Sequence, residues 1–151
     1  MLRDDINNAV KDAMRAKDER KLSTLRMVNS TIKNADIDAR GQSKPPLSDG
    51  DILGVLQKMI KQRHESVELY DKGGRAELAA QEREEIAIIT AYLPQQMSED
   101  DTKAAIAAVI AETGAAGMKD MGKVIAALRA KFAGQMDFGK ASGLVKTALA
   151  G

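Results

Sequence analysis

Apolar residues recur at intervals of three and four along almost the whole chain, and no stretch alternates in the two-residue rhythm of a strand. Leu2, Ile6, Ala9 or Val10, and Ala13 or Met14 predict a first helix from about Leu2 to Lys17. Asp18-Glu19-Arg20 interrupts it briefly, and Leu22, Leu25, Val28, Ile32 and Ala35 form the stripe of a second helix reaching about Arg40. Gly41 is a C-cap candidate, and Gln42 to Gly50, which contains Pro45-Pro46, is expected to be a loop. Ser48 or Asp49 can cap a third helix running to about Lys72. Gly73-Gly74 then turns the chain into a fourth helix, which Pro94 ends after Leu93.

Leu93-Pro94-Gln95-Gln96-Met97 is the expected domain boundary. Beyond it, Ser98 and Asp101 have the spacing of a capping box at the start of a fifth helix. Gly114-Ala115-Ala116-Gly117 separates that helix from a sixth, about Met118 to Ala133. A turn over Gly134 to Gly139 leads to a last short helix reaching Leu149. The pattern therefore predicts an all-α protein, with an N-terminal four-helix domain (residues 1–93) followed by a small C-terminal three-helix bundle (residues 98–151).

Composition sharpens this picture. Aromatic residues are only 3% of the 151, so two small aliphatic cores are easier to build than one large one. Cysteine is absent, which excludes disulfides, thiolate metal sites and a cysteine nucleophile. No apolar run approaches the roughly 20 residues that span a bilayer, and the N-terminus turns acidic at Asp4-Asp5 without the apolar segment of a signal peptide. A cytoplasmic location with no membrane partner is expected. Net charge is +1 but uneven: from Met118 to Gly151 six Lys/Arg face only Asp120 and Asp137. Such a tail suits an anionic partner, although surface lysines are also good helix formers.

Two constellations stand out. On a helical wheel, Arg63 falls at the centre of the apolar face of the third helix, and Glu82 near the centre of that of the fourth. Both lie at similar distances from the Gly73-Gly74 turn, so an antiparallel hairpin predicts a structural Arg63–Glu82 ion pair that sets register. Glu84 and Glu85 are expected to be solvated neighbours. His64, the sole histidine, has no His or Cys partner, and a surface role is expected rather than a metal site. Ser23, Ser30 and Ser66 lie within helices outside any Gly-x-Ser-x-Gly context, and phosphate-loop and dinucleotide motifs are absent. No catalytic residue, metal or cofactor is assigned.

The second constellation is the sixth helix. Met121, Val124, Ile125, Leu128 and Phe132 form its apolar face, opposite Lys119, Gly122, Lys123, Ala126, Arg129 and Ala130. Small residues between cations would let a phosphate chain approach the backbone. Gly122 costs the helix about 1 kcal/mol relative to alanine, so its presence requires a partner's approach or close helix packing. No aromatic is placed to stack on bases, which favours recognition of a folded RNA by shape and backbone.

These segments resemble the GatB/YqeY family. The matching pieces include Leu25-Arg26-Met27 with Ile32-Lys33, and Lys58-Met59-Ile60-Lys61-Gln62-Arg63 with Glu65-Ser66. Tyr70, Gly74-Arg75, Glu77-Leu78, Glu82, Glu85-Ile86 and Tyr92-Leu93-Pro94 follow. The tail matches through Asp120-Met121-Gly122-Lys123-Val124, Gly134, Asp137, Ser142, Val145-Lys146 and Leu149. The resemblance implies a helical N-terminal domain and a three-helix tail similar to the C-terminal extension of the B subunit of the tRNA-dependent amidotransferase. That subunit presents misacylated tRNA for amidation, with ammonia drawn from glutamine. The family label of carbon–nitrogen ligase activity with glutamine as amido-N-donor follows by inheritance. The kinase-like cradle of the B subunit and the Ser/Ser/Lys machinery of its glutaminase partner have no counterpart in this sequence.

The resemblance implies RNA contact at Lys119, Gly122, Lys123, Lys140 and Lys146. The expected function is thus a tRNA-binding or amidotransferase-associated accessory protein rather than an enzyme acting alone. Its expected partners are tRNA and amidotransferase or aminoacyl-tRNA synthetase proteins, not DNA. The alternative is a helical protein–protein interaction adaptor without RNA binding.

Overall fold

The computed structural model describes residues 1–150, and all of its regular structure is helical. The chain divides into two compact units, Met1–Leu93 and Pro94–Gly151. The first contains α1 (Leu2–Ala16), α2 (Glu19–Gly41), α3 (Asp49–Lys72) and α4 (Ala76–Thr90). The second contains α5 (Glu99–Thr113), a 3-10 turn over Met118–Asp120, α6 (Met121–Phe132) and α7 (Phe138–Ala150).

Local chemistry explains where these helices begin and end. Lys17 takes a left-handed conformation (φ 57°) that stops α1, and the Asp18 side chain accepts from the Lys21 N–H to start α2. Gly41 is the last residue of the second helix, with Gln42 in the C-cap position expected for the glycine, and the left-handed residue after them is Ser43 (φ 58°). Ser48, not Asp49, caps α3, in a reciprocal box with Asp51. Gly74 supplies the positive φ (71°) of the α3–α4 turn. The fourth helix ends at Thr90, short of Leu93. Tyr92 and Leu93 instead donate to the carbonyls of Ile89 and Thr90 in tightened turns before Pro94, which disfavours helical geometry in the residue preceding it. In the second unit Ser98 accepts from the Asp101 N–H to open α5.

In the first unit α3 and α4 form an antiparallel hairpin, α1 packs on α2, and α2 also packs on α4. Ile6, Val28, Ile32, Ile52, Leu56, Met59 and Ile89 make its core. Each such side chain removed from water contributes roughly 1.5–3 kcal/mol. Arg3 clamps the seam between α1 and α2 by bonding both Asp36 oxygens and the Leu47 carbonyl, while Asp36 accepts from the Leu47 N–H. Those bonds, that from Arg3 first, hold the Asp36 carboxyl below its ordinary value.

In the second unit α5, α6 and α7 pack mutually around Ile106, Val109, Val124, Leu128, Met136, Ala141 and Val145. Phe132 and Phe138 close one end of this core half-buried. The segment entering α5 is tied to the α6–α7 turn, since the Met97 N–H donates to the Gln135 carbonyl and the Gln96 amide to the Gly134 carbonyl.

Candidate nucleic-acid interface and the buried charge cluster

Lys119, Gly122, Lys123, Lys140 and Lys146 are all exposed. α6 buries Val124 and Leu128, which turns Gly122, Ala126, Arg129 and Ala130 to the outside. A Cβ built on Gly122 would meet nothing within 4 Å. Helix packing inside the unit therefore does not account for this glycine. Gly143, on the exposed side of α7, is equally open and carries the same helix penalty, a feature the sequence reading passed over.

The five residues do not converge on one groove. Lys123 Nζ donates to the Thr113 carbonyl at 2.9 Å, satisfying an orphan acceptor at the negative end of α5. Lys131 of α6 is paired with Glu112 of α5. Lys140 lines an open depression of about 600 Å3 whose lining also includes the acids Glu99 and Asp137. Lys146 follows Lys140 by six residues, which sets the two about 120° apart around α7, and is not part of that lining. Arg129 lies over the Phe138 ring, 5.7 Å from its centroid. Lys119 and Lys146 have no ion-pair partner among the described residues.

The charge surplus of the tail is also moderated by its own unit. Over residues 94–151 there are seven Lys/Arg against six Asp/Glu, because α5 opens with Glu99, Asp100 and Asp101. Those three acids favour the positive end of α5. The basic segment from Met118 onward is only part of this folding unit.

The first unit contains the most concentrated chemistry of the chain. Arg63 is 8% exposed and Glu85 6%. Arg63 Nε donates to Glu85 Oε2 at 3.1 Å, while the nearest Glu82 oxygen lies 4.0 Å away. The guanidinium also donates to the Met59 carbonyl and to the Met27 sulfur. The expected Arg63–Glu82 ion pair is present at the longer distance, and Glu85, expected to be solvated, is the hydrogen-bonded partner of Arg63. A hairpin considered alone centres the inner face of α4 near Glu82. The packing of α2 on the other flank of α4 buries Glu85 as well. Arg20 of α2 completes the cluster, 3.3 Å from Glu84 and 4.0 Å from Glu85.

Burial, and then the charge of Glu85, raise the Glu82 carboxyl above its ordinary value, while Arg63 opposes them. Every strongly buried polar side-chain atom in the described residues has a hydrogen-bond partner, which identifies the cluster as a satisfied network. His64 is exposed, and among the described residues no group of three His, Cys, Asp or Glu side chains could hold a metal ion.

Comparison with known proteins matches the model of the Yqey-like protein family over residues 3–149. Similar proteins include the mitochondrial "Altered inheritance of mitochondria protein 41" of three yeasts. That of Vanderwaltozyma polyspora is 39% identical over 84 residues, covering 56% of this chain and 44% of the relative. The Lachancea thermotolerans protein is 39% identical over 95 residues, covering 61% and 49%. The Saccharomyces cerevisiae protein is 36% identical over 86 residues, covering 57% and 45%. The chain spans less than half the length of these three relatives. Their names carry a mitochondrial location, so the cytoplasmic location expected above rests on this sequence alone. No described helix is long and apolar enough to cross a membrane. With the family model covering the chain almost from end to end, the protein belongs to the YqeY-like family.

Proposed function

We propose that the protein is a tRNA-binding accessory factor of tRNA-dependent amidation, contributing RNA contact and no catalytic group of its own. The observation that carries this reading is the open backbone at Gly122 beside the unpaired Lys119. A helical glycine with free space around it lowers helix stability without serving internal packing, and the close approach of a partner's backbone gives it a use. The sequence resemblance of the tail to the C-terminal extension of the amidotransferase B subunit supports tRNA as the RNA in this reading. Lys119, Gly122 and Lys146 are the principal contacts in this reading. Lys123 and Lys140, each engaged with or facing groups of its own unit, contribute less. Amidotransferase or aminoacyl-tRNA synthetase proteins would be the protein partners of such a factor.

Bulk tRNA binding followed across a salt series tests the proposal. Wild-type protein is expected to bind at about 50 mM salt with a negative slope of log affinity on log salt. Changing Lys119 and Lys146 to glutamine should reduce that slope by about one to two. Gly122→Leu should weaken binding without unfolding the helix, because the space is open. No binding at low salt, or binding indifferent to all three changes, would sink the reading. Protein partners that survive nuclease treatment, with tRNA binding absent, would favour the adaptor alternative.

A further inference from the structure

The outer face of α2 carries Arg26, Lys33 and Arg40 at intervals of seven residues, all exposed. Seven residues bring a helix within about 20° of its starting direction and advance it about 10 Å, so the three cations form one straight stripe. Ser30 and Ile37 lie between them on the same arc, and both are exposed. The stripe points away from the buried side of the helix, which is made by Thr24, Leu25, Val28 and Ile32.

Its two arginines lack the ion pairs common to the other arginines of the unit, whose lysines, Lys33 among them, have none among the described residues. Arg3, Arg15, Arg20, Arg63 and Arg83 are each ion-paired. Of the three arginines in Met1–Leu93 with no ion-pair partner among the described residues, two are Arg26 and Arg40. The acids of α2 do not answer the stripe. Asp36 flanks it, but its oxygens are occupied by Arg3 and the Leu47 N–H. Asp38 projects from the far side of the helix. Glu19 lies a full seven residues before Arg26 and marks where the stripe ends.

We infer that this stripe is a second RNA-backbone contact surface, located in the N-terminal unit. The inference rests on the proposal that the chain binds RNA, and adds a binding face to it. Three cations at regular spacing with hydroxyl-bearing Ser30 among them suit a run of phosphates, to which both side-chain types commonly bond. A protein partner would be expected to meet an apolar or aromatic anchor at the centre of the surface, whereas Ile37 alone offers one, toward one end.

The test compares two full-length variants in the same tRNA salt series, Arg26→Gln/Lys33→Gln/Arg40→Gln and Lys119→Gln/Lys146→Gln. Circular dichroism should show both folded, since all five side chains are exposed. The stripe variant is expected to lower the salt slope by about two to three and to weaken binding at least about tenfold near 100 mM salt. Normal tRNA binding by the stripe variant, with a weakened tail variant, overturns this inference and leaves the proposed function standing. Absence of tRNA binding by the wild type overturns both. A labelled polyglutamate peptide that binds wild type more tightly than tRNA, and is lost only in the stripe variant, would assign the face to an acidic protein and also overturn the inference.

Discussion

The two units hold their helices together by different means. In Met1–Leu93 helix seams carry polar ties: Arg3–Asp36 and Asn29–Asn7 between α1 and α2, Arg20–Glu84 between α2 and α4, and Arg63–Glu85 with Arg83–Asp71 between α3 and α4. In Pro94–Gly151 the core is almost wholly aliphatic, and its inter-helix polar contacts, Lys131–Glu112 and Lys123 on the Thr113 carbonyl, are exposed. Buried ion pairs stabilise little after desolvation, but a mismatched register would strand their charges. The first unit, with long α2 and α3, has more registers to exclude. The second, with shorter helices and tight turns, achieves its arrangement through apolar packing and leaves Lys119 and Lys146 exposed, with no ion-pair partner among the described residues.

This contrast can be broken most sharply at Arg63. Arg63→Ala leaves Glu85 buried without its hydrogen-bonded cation and is expected to cost about 3–5 kcal/mol. Segment-resolved hydrogen exchange should place the loss within residues 1–93. An equal loss of protection across residues 98–150 would show that the division of labour is wrong.

A smaller effect of opposite sign is expected at Gly122. Gly122→Ala should stabilise the second unit by up to about 1 kcal/mol, because alanine removes the glycine penalty and its Cβ has free space. A lower melting temperature would mean that the site is constrained in a way the geometry does not show.

The smallest effect concerns Glu82. Its carboxyl is held above the ordinary value of 4.5, so the protonated form favours the folded state. That contribution is intact below the unfolded-state value and is lost as pH rises through the folded one. Glu82→Gln, a neutral mimic, should therefore melt higher than wild type at pH 7, with the advantage shrinking toward pH 4. A difference independent of pH, or a destabilised variant, would place Glu82 in the ion pair on equal terms with Glu85.

Helical class and element order were legible because they depend on local terms. The three-and-four periodicity, the Ser48 and Ser98 caps and the Gly73-Gly74 turn act within a few residues of one another. The ends of α2 and α4 differ from the expected Arg40 and Leu93 by one and three residues, where i→i+3 turns compete with the α-helical ladder. Arg63 was identifiable as buried for the same local reason, since a charge at the centre of an apolar stripe must be paired.

Only one of its two acidic partners was legible. Glu82, the expected one, does lie 4.0 Å from Arg63, whereas the closer hydrogen bond goes to Glu85, one helical turn on. α2 helps to bury Glu85 by lying against α4, a contact between segments far apart in sequence. The lysines of the tail follow the same logic. Sequence established that Lys119, Lys123, Lys140 and Lys146 exist on a basic segment, whereas packing committed Lys123 to the end of α5 and put Lys140 in the lining of a depression that also includes Glu99 and Asp137. Periodicity determines which side of a helix is buried. Only the neighbours that surround it decide which charges meet, and which remain free for a partner.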